Sequence, residues 1–287
     1  MKKFLIVILV LGLLVGCSTN ESLENTNSGG AGTEEEVTNE SSENTSNTQE
    51  NIEEEIKEDI SVKSTITFPS KDGLLITADT YIIDETSDFM VLFHQAEMSR
   101  GEYIDTALRF NELGYNVMAV DQRSGLTVND VLNETAKRAK EEGYPISWAD
   151  AGMDIQASIE YVRDEFKCNS MYILGSSYSA SLVLSIAPEY KTILKGVICF
   201  SPSDKVKWNE KSVKEILKDS NLPIFMTSKK REIVFVEDLF QHVTSDIKVH
   251  YKPETSGRHG SIALWDSVKD SHQYWEALIA FLEDTKN

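Results

Sequence analysis

The chain has 287 residues, of which 26% are charged and 40% hydrophobic, and a formal net charge of −19. Most of that acidity lies in residues 18–60, where thirteen acids meet one base, Lys57, so residues 61–287 carry only about −9. A domain of that charge with no basic block argues against nucleic acid as a partner, and its length suits one α/β domain with a sizeable core.

Taken in order, the chain opens with Lys2 and Lys3 followed by an apolar run from Phe4 to Val15. The run is too short to span a bilayer comfortably and reads as an export signal. It closes on Leu14-Val15-Gly16-Cys17, which resembles the lipobox of bacterial lipoproteins. That resemblance implies cleavage before Cys17 and a diacylglyceryl thioether on its sulfur, anchoring the protein to the extracytoplasmic face of the cell membrane. Residues 18–60 hold only six apolar residues and no aromatic. They cannot bury enough surface to offset chain entropy and are expected to form a disordered acidic tether. Beyond Cys17 there remain Cys168 and Cys199, expected as buried free thiols rather than a disulfide.

The remaining elements alternate. Residues 61–83 read as a β-hairpin turning at Lys71-Asp72-Gly73. Strands are expected at 89–93, 116–120, 171–174, 196–200, 223–226 and 247–251. Helices are expected at 104–113, 149–166, 178–187, 213–217, 236–243 and 273–282. Short apolar runs alternating with amphipathic helices predict a mostly parallel sheet covered on both faces. The longest excursion, between Ser124 and Trp148, contains the helical stretch Asn133–Gly143. It belongs beside the carboxyl ends of the strands, either as a pocket wall or as a decorative helix.

One strand-to-helix junction carries chemistry: Gly175-Ser176-Ser177-Tyr178-Ser179. In a G-x-S-x-G elbow the central serine occupies a strained turn, which makes Ser177 the candidate nucleophile and Ser179 a small substitute for the second glycine. A serine hydroxyl needs a base. Of five histidines, His259 lies in Gly257-Arg258-His259-Gly260, between the last strand and the last helix, and is the first choice, with His272 second. The acid that orients it should follow the strand at 223–226. Glu232 is the first acid there, with Glu237 and Asp238 as alternatives. Oxyanion donors are expected from the N–H of Tyr178 and from the loop after residue 93, Ala96 first and Gln95 second. Arg123 and Arg100 lie near strand ends, where they could meet an anionic substrate, although a buried structural role suits Arg123 better. No metal-ligand motif is present, and no cofactor is expected.

Serine, acid and histidine in this order resemble the α/β-hydrolase superfamily. The stretches around 92–103, 113–125 and 259–275 resemble a bacterial dienelactone-hydrolase-like branch, with Ser177 where dienelactone hydrolase itself has cysteine. The resemblance implies an α/β-hydrolase fold with a mostly parallel eight-stranded sheet flanked by helices and no large lid domain. It implies a monomeric serine hydrolase acting on a small ester through a Ser177-His259-Glu232 triad and an acyl-enzyme. A peptidase or amidase with the same triad, or a non-catalytic binding lipoprotein on this scaffold, are the alternatives.

Overall fold

The computed structural model describes residues 62–286. The export signal, Cys17 and the tether at 18–60 lie outside the described residues. β1 (Val62–Pro69) and β2 (Leu75–Ile82) form an antiparallel hairpin in which Phe68 faces Ile76. There follow β3 (Phe89–Phe93), α1 (Ile104–Glu112), β4 (Asn116–Val120), α2 (Glu134–Glu142) and α3 (Ala151–Glu165). Then come β5 (Met171–Ser176), α4 (Tyr178–Ile186), β6 (Leu194–Phe200) and α5 (Val213–Leu217). The domain closes with β7 (Ile224–Thr227), α6 (Ile233–Phe240), β8 (Lys248–Tyr251) and α7 (Ser271–Asp284). The eight strands form one sheet in the order β1-β2-β4-β3-β5-β6-β7-β8. Both pairings of β2 are antiparallel, and every other pairing is parallel.

The central strands are apolar throughout because both faces are covered. Along β3, Phe89, Val91 and Phe93 enter one core while Met90 and Leu92 enter the other. The first core takes the inward faces of α3, α4, α5 and α6, and the second those of α1 and α7. The sheet order reverses at β3, which has β4 on one side and β5 on the other. The loops leaving the carboxyl ends of β3 and β5 therefore diverge and leave a crevice for a ligand.

Two expectations shift. α6 runs from Ile233 to Phe240, three residues earlier at both ends than expected, and its first turn carries the exposed Val234 and Phe235. The thiols are both free, but only Cys199 is buried. Cys168 is half-buried. The excursion after β4 serves two purposes. It contains a small hairpin (Thr127–Val128 with Val131–Leu132) that the sequence did not signal, and then α2, which packs on β2 and is capped by Asn133, whose Oδ1 accepts the N–H of Ala136 at 2.7 Å. Its last residue, Trp148, reaches a cavity that Ser177 also lines.

Arg123 is fully buried. Its guanidinium donates to Asp154 at 2.7 Å, to both carboxyl oxygens of Asp72 at 2.7 and 2.9 Å, and to Ser70 Oγ at 3.0 Å. This network ties the hairpin turn to α3 and to the loop after β4. Arg100 is held by Asp121 and Asp79. Both arginines are thus taken up by carboxylates of the scaffold, and neither lines the cavity at the elbow.

Candidate active site

The elbow is strained where it was expected to be. Ser177 has φ +59 and ψ −115 between the last residue of β5 and the first of α4, a conformation few non-glycine residues adopt. Gly175 is required by close approach, since a Cβ there would lie 2.6 Å from the backbone N of Ala180 and from Ser179. Ser179, in place of the second elbow glycine, is fully buried and donates to the carbonyl of His94 at 2.6 Å while accepting from Gln122 Nε2 at 3.0 Å. The serine therefore does more than fit, because it fastens the elbow to the carboxyl ends of β3 and β4.

Ser177 Oγ lies 2.8 Å from His259 Nε2. On the other side of the ring, His259 Nδ1 lies 2.8 and 3.0 Å from the two oxygens of Glu232. A carboxylate only accepts, so it fixes the proton on Nδ1 and leaves Nε2 free to accept from the serine hydroxyl. Burial pushes the Glu232 carboxyl up, but hydrogen bonds from His259 and Ser201, the nearby His259 charge and a bond from Lys229 outweigh it and hold it down at about 2. Glu232 is therefore ionised at any neutral pH. The competing acids are engaged elsewhere on α6: Glu237 with His250 and Lys252, and Asp238 with Lys214.

The other histidines have different surroundings. His94 is fully buried, and burial pushes its imidazole down to about 4. Its Nδ1 meets the Gln95 carbonyl at 2.8 Å, and its Nε2 accepts from the Gln122 N–H at 3.1 Å. It is a neutral brace between the β3 and β4 loops. His250 pairs with Glu237, and His272 is exposed on α7.

Of the two donors expected from the β3 loop, the Gln95 N–H is spent on Glu102 Oε2 at 2.9 Å, which removes it as an oxyanion donor. Ala96 N–H donates to no acceptor among the described residues. The Tyr178 N–H belongs to the first residue of α4, where helix geometry provides no intrahelical acceptor.

Sequence reasoning missed two members. Ser201 follows β6 directly with φ +55, donates to Glu232 Oε2 at 2.8 Å and accepts the Gly260 N–H at 3.1 Å. A serine at the carboxyl end of a parallel strand is the signal that could have found it. Glu102, on the turn before α1, is buried and accepts from Gln95 N–H and from Ser261 Oγ, joining the β3 loop to the histidine loop. Gly260 must be glycine in that histidine loop, because it has φ +70 and a Cβ would lie 2.0 Å from Gln95 Oε1. Among the described residues no group of three or more His, Cys, Asp or Glu is placed to hold a metal ion.

Residues 84–254 match the family described as serine aminopeptidase, S33. The chain belongs to that hydrolase family. Solved structures agree on the fold of this S33 hydrolase. An esterase from Pyrococcus furiosus superimposes with a TM-score of 0.61 at 16% identity, covering 79% of this chain and 94% of that one. A carboxyl esterase from Bacillus coagulans superimposes with a TM-score of 0.58 at 13% identity, over 78% and 99% of the two chains. A dienelactone hydrolase from Anabaena variabilis gives 0.56 at 11% identity, over 77% and 96%. No curated protein matches the sequence. The α/β-hydrolase fold is the fold of this protein, with β2 as the antiparallel strand and no large insertion forming a lid among the described residues.

Proposed function

We propose that this protein is a membrane-anchored serine esterase whose nucleophile is Ser177. The observation that carries the reading is the continuous line Ser177 Oγ–His259–Glu232, with 2.8 Å on each side of the imidazole. In this reading Ser177 attacks an ester carbonyl while His259 Nε2 takes its proton, and Glu232 stabilises the imidazolium that forms. The N–H groups of Tyr178 and Ala96 receive the oxyanion. Collapse expels the alkoxide, which takes the proton from His259. Water, deprotonated by the same ring, then releases the acid from Ser177 and restores the enzyme.

The strain at Ser177 also speaks for a working site over a binding scaffold, since a positive φ at a serine costs energy that packing alone does not require. Ester chemistry is favoured by the esterases among the structural neighbours, while the family description keeps an aminopeptidase as the second reading. The discriminating experiment compares an ester with the amide of the same acyl group, on the full chain in detergent and on its Ser177→Ala variant. Esterolysis well above amidolysis, lost with Ser177, is expected. Amidolysis that equals or exceeds esterolysis would replace the esterase with a peptidase, and ester turnover that survives in Ser177→Ala would remove the nucleophile. The anchor rests on Leu14-Val15-Gly16-Cys17. Metabolic labelling with a palmitate analogue should mark the protein and fail with Cys17→Ser, whereas equal labelling of both would remove the anchor.

A further inference from the structure

Beside Ser177 opens a cavity of about 450 Å³ whose apolar wall is formed by Tyr178, Trp148, Val206, Leu239 and Phe235. The Tyr178 hydroxyl is tied back to the carbonyl of Ser124 at 3.3 Å, so the ring presents its face. Trp148 stacks on that ring, with centroids 5.7 Å apart and planes 14° from parallel. Trp148 is 48% exposed and Phe235 66% exposed, and both line the cavity. Large apolar side chains left in water around a concave mouth mark the place where an apolar group is received.

The same cavity also carries charges, among them Lys205. Three carboxylates line it: Glu232, Asp204 and Asp238. Glu232 is held by His259 and Lys229. Asp238 pairs with Lys214 at 2.6 Å, and Asp204 accepts the N–H of Lys214 at 3.3 Å. An aminopeptidase must meet the free ammonium of its substrate with an available carboxylate, because a buried unpaired charge is costly. Here Lys214 already occupies Asp238 and the imidazole and Lys229 occupy Glu232, so Asp204, which accepts only a backbone N–H, is the one carboxylate an ammonium could meet without displacing a cation. His259 also borders a second cavity, of about 400 Å³, with Gln95, Arg258 and Trp265 but without Ser177. The ring that must hand a proton to the leaving group thus stands between two spaces, and only the first contains the nucleophile.

We propose that the first cavity is the acyl subsite and that its apolar walls take an uncharged, apolar acyl chain, with Trp148 and Phe235 setting the preference at its mouth. The second cavity then receives the alcohol. This rests on the esterase reading and specifies its substrate class. Each methylene that leaves water for an apolar wall should raise kcat/KM about fourfold until the cavity is filled.

The test uses the full chain in detergent with 4-nitrophenyl esters from acetate to octanoate, and with alanine 4-nitrophenyl ester as the free-amino probe. Expected are a rising kcat/KM along the series, alanine ester below its propionate counterpart, and an octanoate-to-acetate ratio reduced about tenfold by Trp148→Ala or Phe235→Asp. Both positions are exposed, so neither substitution threatens folding. A flat series, a preference for the alanine ester, or a ratio unmoved by both variants would overturn the proposal. So would a parallel series of alkyl acetates in which lengthening the alcohol raises kcat/KM while lengthening the acid does not, because that would reverse the two cavities. Failure of the parent reading is distinguishable: ester turnover would be absent, would survive in Ser177→Ala, or would be matched by amidolysis of the same acyl group. If esters turn over through Ser177 and the series is flat, only the acyl assignment falls.

Discussion

Two charged networks lie near the carboxyl edge of one sheet, and they are built in opposite ways. Arg123, Asp154, Asp72 and Ser70 form a closed set in which the arginine and Asp154 are wholly buried and every guanidinium nitrogen donates. Ser177, His259 and Glu232 form an open set. The His259 side chain is 38% exposed, Ser177 sits in a strained turn, and the cavity meets the network at all three residues. A fully satisfied buried ion cluster fixes geometry and offers nothing to a ligand. A network left open at one end, with strain kept in its nucleophile, can do chemistry.

The contrast can be broken from either side. The largest expected effect is in the open network: Ser177→Ala should lower ester kcat by about 10⁶-fold with the fold intact. Retained turnover with unchanged substrate preference would show that another group reacts. Glu232→Gln should lower kcat by about 10³- to 10⁴-fold, through loss of the imidazole's orientation and charge partner. Glu237→Gln and Asp238→Asn, measured by the same assay, should leave the His259 partner intact and cost far less. In the closed network the order of effects reverses. Arg123→Met leaves Asp154 buried without its cation and should destabilise the domain by about 3–5 kcal/mol in denaturant melts. The fraction still folded should hydrolyse esters at the unmodified rate. An equal loss of kcat in that fraction would mean that the two networks are coupled.

Smaller effects sharpen the comparison. Ser201→Ala removes one charge-assisted bond to Glu232 and the acceptor of the Gly260 N–H, for an expected loss of about tenfold in kcat. The pH dependence follows from Glu232, whose carboxyl is held down at about 2 in the folded protein. Its contribution to stability is therefore complete above the ordinary glutamate value of about 4.3 and is lost as pH falls towards the folded value. Neutral melts should show Glu232→Gln less stable by the full offset, and that difference should shrink as pH falls towards about 2.

What the sequence made legible follows from what is local. Gly175-Ser176-Ser177-Tyr178-Ser179 announced its strained turn because an apolar strand, a small residue and a helix are contiguous there. His259 and Glu232 could be chosen because each falls in a loop whose position the alternation of elements had already set. Ser201 and Glu102 stayed hidden because their roles exist only across the fold, Ser201 facing a carboxylate 31 residues later and Glu102 a hydroxyl 159 residues away. The Gln95 N–H lost its expected role for the same reason, since nothing in the local sequence reveals that Glu102 takes it. Val234 and Phe235 fell outside the expected α6 because they stand exposed on its first turn and add nothing to its inward-facing apolar periodicity. The role of Ser179 was only half legible: its small size could be read from the motif, but its bonds to His94 and Gln122 could not.

The central claim is that Ser177 is the nucleophile made reactive by His259. Its most direct measurement is mass mapping after brief exposure of the full chain to a fluorophosphonate at neutral pH. The phosphonyl group should be found on Ser177, be absent from Ser177→Ala, and form far more slowly in His259→Ala. Label on another serine, or undiminished label in His259→Ala, would contradict it.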